Sequence, residues 1–263
     1  MTIVLIAALL YLAAAALLVA GTTRSRPRPG HLWLPAALPA VALHVAYHVL
    51  AWRGAGGADM HFFSALSLVG LGMALLTLLV GARGRMATLG VVVFPIAAAT
   101  LAGYAVYGHH LAEGLDARLQ LHAWCALLAY ATLAVAAVLA VMLWLQERAL
   151  RRRDFHAWLR VLPPLTELET LLFRTIAVGF VLLTATLLTG VLFVDDLFAQ
   201  HLVHKTVLSV LSWLAFGALL LGRWRLGWRG AIAVRWTLVA MALLVLAFFG
   251  SKFVLELVLQ RAP

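Results

Sequence analysis

The sequence predicts an all-α integral membrane protein with eight transmembrane helices. Of the 263 residues, 65% are hydrophobic and only 11% are charged, and the mean hydropathy is +1.02. A soluble domain carries roughly a quarter charged residues, because its surface must face water. The surface of this chain must therefore face an apolar solvent, and the lipid bilayer is its first expected partner.

Eight apolar segments are long enough to cross a bilayer, since about 30 Å of hydrocarbon needs roughly 20 helical residues. None of them alternates polar and apolar residues, which argues against transmembrane strands. We predict spans at about residues 2–20, 32–52, 62–81, 87–107, 119–146, 172–194, 202–222 and 232–257. No stretch remains for a second folded unit, so we expect one transmembrane domain over residues 1–263, with a basic cytoplasmic linker at 147–171.

The basic residues predict the orientation of the chain. The net charge is +10, from 20 Lys and Arg residues against 10 acids. Fifteen of the 20 basic residues follow spans 1, 3, 5 and 7, and five lie on the opposite side. Basic loops are retained in the cytoplasm, so both termini are predicted to be periplasmic, in a bacterial inner membrane. The same placement argues against nucleic acid as the partner of this basic chain.

Several kinds of chemistry are excluded by what the sequence lacks. Cys125 is the single cysteine, so an internal disulfide and a CxxC redox or zinc motif are both excluded. The sequence contains no nucleophile–base pair, phosphate-binding loop or dinucleotide fingerprint. We therefore predict no catalytic residue and expect that the protein is not an enzyme.

Histidines are the candidate functional residues, because ionisable groups inside a bilayer are costly and by default functional. His44 and His48 are four residues apart and share one face of the second span. His122 lies one turn into the fifth span and His204 at the outer start of the seventh, so His48, His122 and His204 are expected at similar depth. Neutral imidazole is the usual axial ligand of haem iron, and facing helices can supply a pair. Haem is the expected cofactor, with all four histidines as candidate cofactor-binding residues and His122 and His204 as the expected metal ligands.

Two alternative roles for the histidines stay open. Each one could be a hydrogen-bonded packing residue. Zinc is less expected than haem, because the lone pair His44–His48 is not accompanied by carboxylates at typical ligand spacing.

Several sequence motifs, strongest after residue 119, resemble one known family. They are Leu121-His-Ala-Trp-Cys-Ala-Leu-Leu-Ala-Tyr-Ala-Thr-Leu133, Pro163-Pro-Leu-Thr-Glu-Leu-Glu169, His204-Lys-Thr-Val-Leu-Ser-Val-Leu-Ser-Trp213, Gly227-Trp-Arg-Gly230 and Phe248-Phe-Gly-Ser-Lys-Phe-Val-Leu-Glu256. These motifs are similar to those of the YpjD-like inner-membrane proteins, which belong to the broad CcsA-type cytochrome c assembly family together with HemX-like proteins. The resemblance covers most of the chain.

The resemblance implies that the chain handles haem. In the family, assembly proteins move haem across or within the membrane and present it to apocytochrome c, with histidines holding the iron. By position, His122 corresponds to a haem-ligating outer histidine, His44 is a recurrent position in YpjD-like proteins, and His204 lies where they often keep a histidine.

The sequence also departs from the family pattern. The Trp-rich loop before the seventh helix is absent, and the chain there reads Phe193-Val-Asp-Asp-Leu-Phe-Ala-Gln200. A histidine near the cytoplasmic end of that helix is replaced at about Gly222, and one near the C-terminus has no counterpart after Ser251. These departures argue against a complete haem-delivery site.

Three functions follow from these observations. The leading one is a haem-binding or haem-handling membrane protein related to cytochrome c assembly. The alternative is a cofactor-free accessory or regulatory subunit that binds a protein partner through the basic segment 146–174. A third, an ion or proton transporter, rests on Lys252, Glu256 and the histidines.

Overall fold

A computed structural model describes residues 1–23, 31–82, 85–108, 116–152, 164–193, 200–250 and 252–253. These residues form eight long helices and no strand. Together with the short turns that adjoin some of them, all eight are long and apolar enough to cross a membrane. The predicted all-α fold with eight spans is therefore confirmed. The helices are α1 Thr2–Thr23, α2 Leu34–Ala55, α3 Phe62–Gly81, α4 Gly90–Tyr107, α5 Ala117–Arg151, α6 Leu165–Phe193, α7 Gln200–Leu226 and α8 Ala231–Val245.

Three short turns extend this set. Single 3₁₀ segments precede α2 and α4, at His31–Trp33 and Arg85–Leu89. A π-helical turn, Leu246–Gly250, continues α8. Turns of the π type are rare within helices and are frequent at functional sites.

Helix α1 shows how these helices meet both protein and lipid. Its buried positions recur every three or four residues, at Val4, Ala7, Tyr11, Ala14 and Leu18. This spacing is one stripe of a helix. The opposite side is also apolar, since its exposed positions include Leu5, Leu9 and Leu12. An exposed face of this composition is stable in lipid and not in water.

The chain folds as two compact units. Unit 1 comprises Met1–Gly114 and Leu145–Leu168, and unit 2 comprises Leu115–Trp144 and Glu169–Pro263. In unit 1, α1 packs against α2 and α4, and α3 packs against the same two helices. In unit 2, α7 packs against α8 and against the π-helical turn. The single transmembrane domain expected from the sequence stays a prediction.

The boundaries of α5 and α6 differ from the predicted spans. Helix α5 continues to Arg151 and α6 begins at Leu165, so both ends of the predicted linker 147–171 are helical; residues 153–163 lie outside the described ranges. Charged residues do not end a helix, because its hydrogen bonds are formed within the segment. With 35 residues, α5 is about 52 Å long and extends roughly 20 Å beyond the hydrocarbon.

The turn between α7 and α8 explains one of the family motifs. Gly227 and Gly230 have φ angles of 67° and 57°, which favour glycine because it has no Cβ. Arg223 Nη1 donates a hydrogen bond to the carbonyl oxygen of Trp228 at 3.2 Å. The backbone N–H of Gly230 donates to Glu169 Oε1 at 2.8 Å. Glu169 at the start of α6 therefore fixes the conformation of this turn.

Candidate functional site

His44 and His48 lie side by side in the interior of unit 1. Both side chains are buried, 0% and 1% exposed, and their rings stack with centroids 5.4 Å apart. The Nε2 atoms of both rings face one hydroxyl on α3: Ser67 Oγ lies 2.9 Å from His44 Nε2 and 3.0 Å from His48 Nε2. The i, i+4 spacing predicted a shared face for the two histidines, and the structure confirms it.

Aromatic side chains from the neighbouring helices enclose this pair. Tyr11 of α1 places its hydroxyl 3.2 Å from His44 Nδ1. Tyr104 of α4 stacks on His48, with centroids 4.9 Å apart and the rings within 12° of parallel. Both ring nitrogens of His44 are therefore engaged by side chains, and the Nδ1 atom of His48 is buried with no hydrogen-bond partner among the described residues.

A buried carboxylate lies in the turn between α2 and α3. Asp59 is 1% exposed, and its Oδ1 accepts the backbone N–H of His61 at 2.9 Å and lies 2.8 Å from His61 Nδ1. Its carbonyl oxygen accepts the hydroxyl of Ser64 at 2.7 Å. The carboxylate also interacts electrostatically with His48 and Tyr104. Within the described part of the chain, Asp59 Oδ2 has no hydrogen-bond partner.

Unit 2 contains a cavity of about 240 Å³. Each of its helices contributes positions three or four residues apart, which is the spacing of one helix face. The polar lining residues are His122, Tyr130, Thr186, Lys205, Thr206 and Ser209. The apolar ones are Ala126, Ala129, Leu183, Leu187, Gly190, Val191, Val210, Leu244, Ala247 and Phe248. The cavity is thus an apolar slot with a few polar groups, as small-molecule sites usually are.

The imidazole of His122 is fixed against α6. Its Nδ1 lies 3.1 Å from Thr189 Oγ1, while that hydroxyl lies 2.8 Å from the carbonyl oxygen of Ala185. A hydroxyl has one hydrogen, and a carbonyl oxygen only accepts. Thr189 therefore donates to Ala185, and Nδ1–H of His122 donates to Thr189. Thr189 Oγ1 also lies 3.0 Å from the carbonyl oxygen of Thr186, and from these contacts we infer the tautomer in which His122 Nε2 carries the lone pair.

Two further contacts shape the cavity. A Cβ on Gly190 would lie 3.2 Å from His122 Cε1, so the absence of a side chain lets the imidazole approach α6. The hydroxyl of Tyr130 donates to the carbonyl oxygen of Leu244, which joins α5 to α8 immediately before the π-helical turn.

The four predicted histidines are not all placed alike. His44 and His48 belong to unit 1, whereas His122 and His204 belong to unit 2. His204 is exposed and is not among the residues that line the cavity, although its neighbours Lys205 and Thr206 are. The geometry therefore favours His122 as the ligand in unit 2. The ligand roles of all four histidines stay predictions.

A metal ion held by protein ligands alone finds no site within the described ranges, since no group of three or more His, Cys, Asp or Glu residues converges there. Haem iron is less demanding, because the porphyrin supplies the equatorial nitrogens and one axial histidine can complete the attachment. Of the other residues that the sequence singled out, Glu256 and the stretch 194–199 lie outside the described residues.

Comparison with known proteins gives this geometry a context. Residues 32–259 match the family described as Cytochrome C assembly protein. This chain belongs to that family. Inner membrane protein YpjD of Escherichia coli (strain K12) is 30% identical over 234 residues, which cover 86% of this chain and 89% of that protein. The resemblance seen in the sequence is thus confirmed, as is the prediction of a multi-pass inner-membrane protein.

Two other relatives match over about half of the chain. A 28.8 kDa protein in the nifR3-like 5′ region of Azospirillum brasilense is 39% identical over 143 residues, or 54% of this chain and 53% of that protein. Protein HemX of Brevibacillus brevis is 26% identical over 131 residues, or 49% and 48% of the two chains. No solved structure matches the sequence.

One departure from the family pattern has a physical reason in the structure. A Cβ on Gly222 would overlap the indole ring of Trp228, and the backbone N–H of Trp228 donates to the Gly222 carbonyl oxygen at 3.2 Å. Trp228 therefore fills the space that a side chain at position 222 would occupy. A histidine at position 222 would therefore have no room beside Trp228.

Sequence reasoning missed several residues that the structure brings to the histidines, among them Tyr11, Ser67, Asp59 and Thr189. Tyr11 and Ser67 carry a usable signal, because each is a polar group within an otherwise apolar span and a buried hydroxyl needs a partner. Thr189 carries a weaker one, since a threonine hydroxyl in a helix usually bonds to its own backbone.

Proposed function

We propose that this protein binds or handles haem in the membrane, without catalysing a reaction itself, and that His122 is the iron ligand in the cavity of unit 2. The observation that carries the proposal is the state of His122. Its Nδ1–H is held by Thr189, so its Nε2 lone pair is the one available in an apolar cavity. A hydrogen bond from the other ring nitrogen orients metal-ligating histidines generally, and membership of the cytochrome c assembly family supports haem as the metal group.

The residues of the cavity fit such a group. Its apolar lining would contact the porphyrin faces, whereas Lys205, Thr206 and Ser209 on α7 would bind its carboxylate groups by charge-assisted and neutral hydrogen bonds. Bound haem would supply an iron centre that can change its redox state. The protein residues would orient that centre and exclude water from it.

The size of the cavity favours handling over permanent storage. Sites that enclose most of a ligand have volumes of roughly 300–1,000 Å³, and this cavity of about 240 Å³ is smaller. A porphyrin attached to His122 would therefore be only partly enclosed. Partial enclosure leaves a face from which another protein can take the ligand.

The arginine distribution supports a periplasmic site. Because basic loops are retained in the cytoplasm, Arg148 and Arg151 at the end of α5 support a cytoplasmic location for that end. His122 lies near the other end of the same helix, and both termini of the chain are then periplasmic. Cytochrome c assembly proteins would need to present haem on that side.

An absorbance spectrum tests the proposal. Full-length protein purified from haem-replete cells should show a Soret band, and His122→Ala should lower haem occupancy by more than about tenfold, since the loss of a hydrogen-bond partner behind a ligand alone costs roughly 10–100-fold. His204→Ala is the matched control, and it should retain haem because His204 does not line the cavity. If the protein shows no Soret band after loading with excess haem and removal of the unbound haem, the proposal is refuted and the cofactor-free accessory subunit is favoured.

A further inference from the structure

Unit 1 contains a chain of buried hydrogen-bonding side chains that the haem proposal does not use. It runs from Tyr11 to His44 over 3.2 Å, from His44 to Ser67 over 2.9 Å, and from Ser67 to His48 over 3.0 Å. All four side chains are at most 1% exposed. Buried polar networks of this kind carry a large desolvation cost in hydrocarbon, so packing alone is a poor reason for their presence.

Ser67 gives this series of hydrogen-bonded side chains two distinct states. Its hydroxyl has one hydrogen and lies between two Nε2 atoms, so one imidazole must donate to Ser67 while the other accepts from it. In one state His44 donates to Ser67 and Ser67 donates to His48. In the other state the direction of both hydrogen bonds is reversed. Reversal leaves both imidazoles neutral only when one ring gains a proton at Nδ1 and the other loses one at Nδ1, and it moves no heavy atom.

The His48 end of this hydrogen-bonded series leads toward Asp59. The buried carboxylate of Asp59 interacts electrostatically with His48, and it contacts the Nδ1 atom of His61, whose side chain is 15% exposed. His48 Nδ1 and Asp59 Oδ2 are both buried without a hydrogen-bond partner among the described residues. Each of these atoms can still take part in a hydrogen bond, so a proton can enter the network at this end.

We propose that these side chains form a proton relay, which carries a proton from the Asp59–His61 end of unit 1 through Ser67 to His44 in the interior of α2. This relay is independent of the haem cavity, because every group in it belongs to unit 1.

The transfer balances on the residues themselves. A proton binds to His48 Nδ1, and His48 Nε2 gives its own proton to Ser67 Oγ. Ser67 in turn gives its hydrogen to His44 Nε2. His48 and Ser67 are neutral before and after the transfer. His44 becomes an imidazolium whose Nδ1–H donates to the oxygen of Tyr11. One proton is taken up and one N–H bond is added.

The groups that face the relay are few. They are Tyr11 from α1, Tyr47 from α2, Tyr104 from α4, and Asp59 and His61 from the turn before α3. Asp59 acts electrostatically on His48, which is the imidazole that takes up the proton first. Behind Tyr11 the path is closed by apolar rings, since Tyr11 stacks on Phe94 and Phe94 packs against Trp33. Within the part of the chain that the structure describes, the relay is therefore a path open at one end, which loads and unloads a proton.

Proton exchange at single imidazoles tests the relay. Full-length protein with ¹⁵N-labelled histidine is placed in lipid nanodiscs, and the exchange of each ring proton with water is measured by nuclear magnetic resonance. Variants His44→Gln and His48→Gln assign the two signals. Ser67→Ala should slow exchange at His44 by about tenfold or more, because a hydrogen-bonded step is removed from its path, while exchange at His48 stays unchanged. Ser67→Cys, a weaker donor, should give an intermediate rate.

Two further variants make the result decisive. Ser212→Ala removes a buried hydroxyl of unit 2 that donates to the carbonyl oxygen of Ala240, and it should leave both histidines unchanged. Asp59→Asn should slow exchange at both His48 and His44, because Asp59 precedes both imidazoles on the path of the proton. Loosened packing would instead speed exchange at both rings. Unchanged or faster exchange at His44 in Ser67→Ala, or unchanged exchange at both rings in Asp59→Asn, overturns the relay.

Discussion

The imidazole of His122 donates its Nδ1–H to Thr189 Oγ1 across 3.1 Å, and Thr189 passes its own hydrogen to the carbonyl oxygen of Ala185. Two adjacent turns of α6 thus decide which nitrogen of a histidine on α5 can bind a ligand. The hydroxyl that usually only satisfies its own helix here also positions a residue on another helix.

Replacement of that hydroxyl should weaken haem binding. Thr189→Val removes the acceptor for Nδ1–H, so the imidazole loses both its orientation and its preferred tautomer. We expect a roughly 10–100-fold rise in the dissociation constant for haem, measured by absorbance titration. Thr237→Val is the matched control, because Thr237 Oγ1 makes the same bond to a carbonyl four residues earlier, at Ala233, whereas the partner of His122 is Thr189. Equal losses in both variants would contradict a special role for Thr189.

Gly190 should be sensitive to one added methyl group. In Gly190→Ala the new Cβ would lie 3.2 Å from His122 Cε1, so the imidazole must shift by a few tenths of an ångström. We expect weaker haem binding, by several-fold up to about tenfold, with little loss of folded protein. Gly217→Ala creates an equally close contact with Phe180, at 3.3 Å, away from the cavity. Haem affinity should remain normal in that variant.

Gly222 should be intolerant of any side chain. A Cβ in Gly222→Ala overlaps the ring of Trp228, and overpacking of this kind costs about 1–3 kcal/mol. We expect a lower midpoint of thermal unfolding in detergent. Gly54→Ala is the control, since nothing lies within 4 Å of its added Cβ, and its midpoint should not fall. If the two variants unfold at the same temperature, Trp228 does not occupy the space assigned to it.

Glu169 should stabilise the turn between α7 and α8. Glu169→Ala leaves the backbone N–H of Gly230 without its acceptor, and the loss of a hydrogen bond to a charged group costs about 1.5–3 kcal/mol. Glu169→Gln keeps an oxygen acceptor and should recover most of this stability. Thermal unfolding of the two variants checks the order. A Gln variant as unstable as the Ala variant would show that the negative charge matters and the acceptor does not.

The fold was largely predictable, because apolar segments long enough to cross the bilayer can be recognised from hydropathy alone. The ends of α5 and α6 were not predictable, because the helix continues through charged residues such as Glu147 and Arg148 that follow the apolar segment. Hydropathy measures where the lipid ends, whereas the helix ends where its backbone bonds end. The division into two units also has no signal in hydropathy.

The direction in which the candidate histidines point was not predictable from the sequence, and their common depth stays a prediction. His122 and His204 were expected at one level, yet successive residues of a helix point about 100° apart. Lys205 and Thr206 therefore face the cavity while His204 is exposed. The pairing of His44 with His48 follows from their spacing, but Ser67 between them depends on the packing of α3 against α2, which no local pattern encodes.

Tyr130 has a consequence for how the cavity of unit 2 changes width. Its hydroxyl is bonded to the carbonyl oxygen of Leu244, and both side chains line the cavity. If α8 moves away from α5, this bond breaks at a depth where no water can replace it. A ligand too large for this cavity would therefore have to supply the free energy of breaking the hydrogen bond between Tyr130 and Leu244.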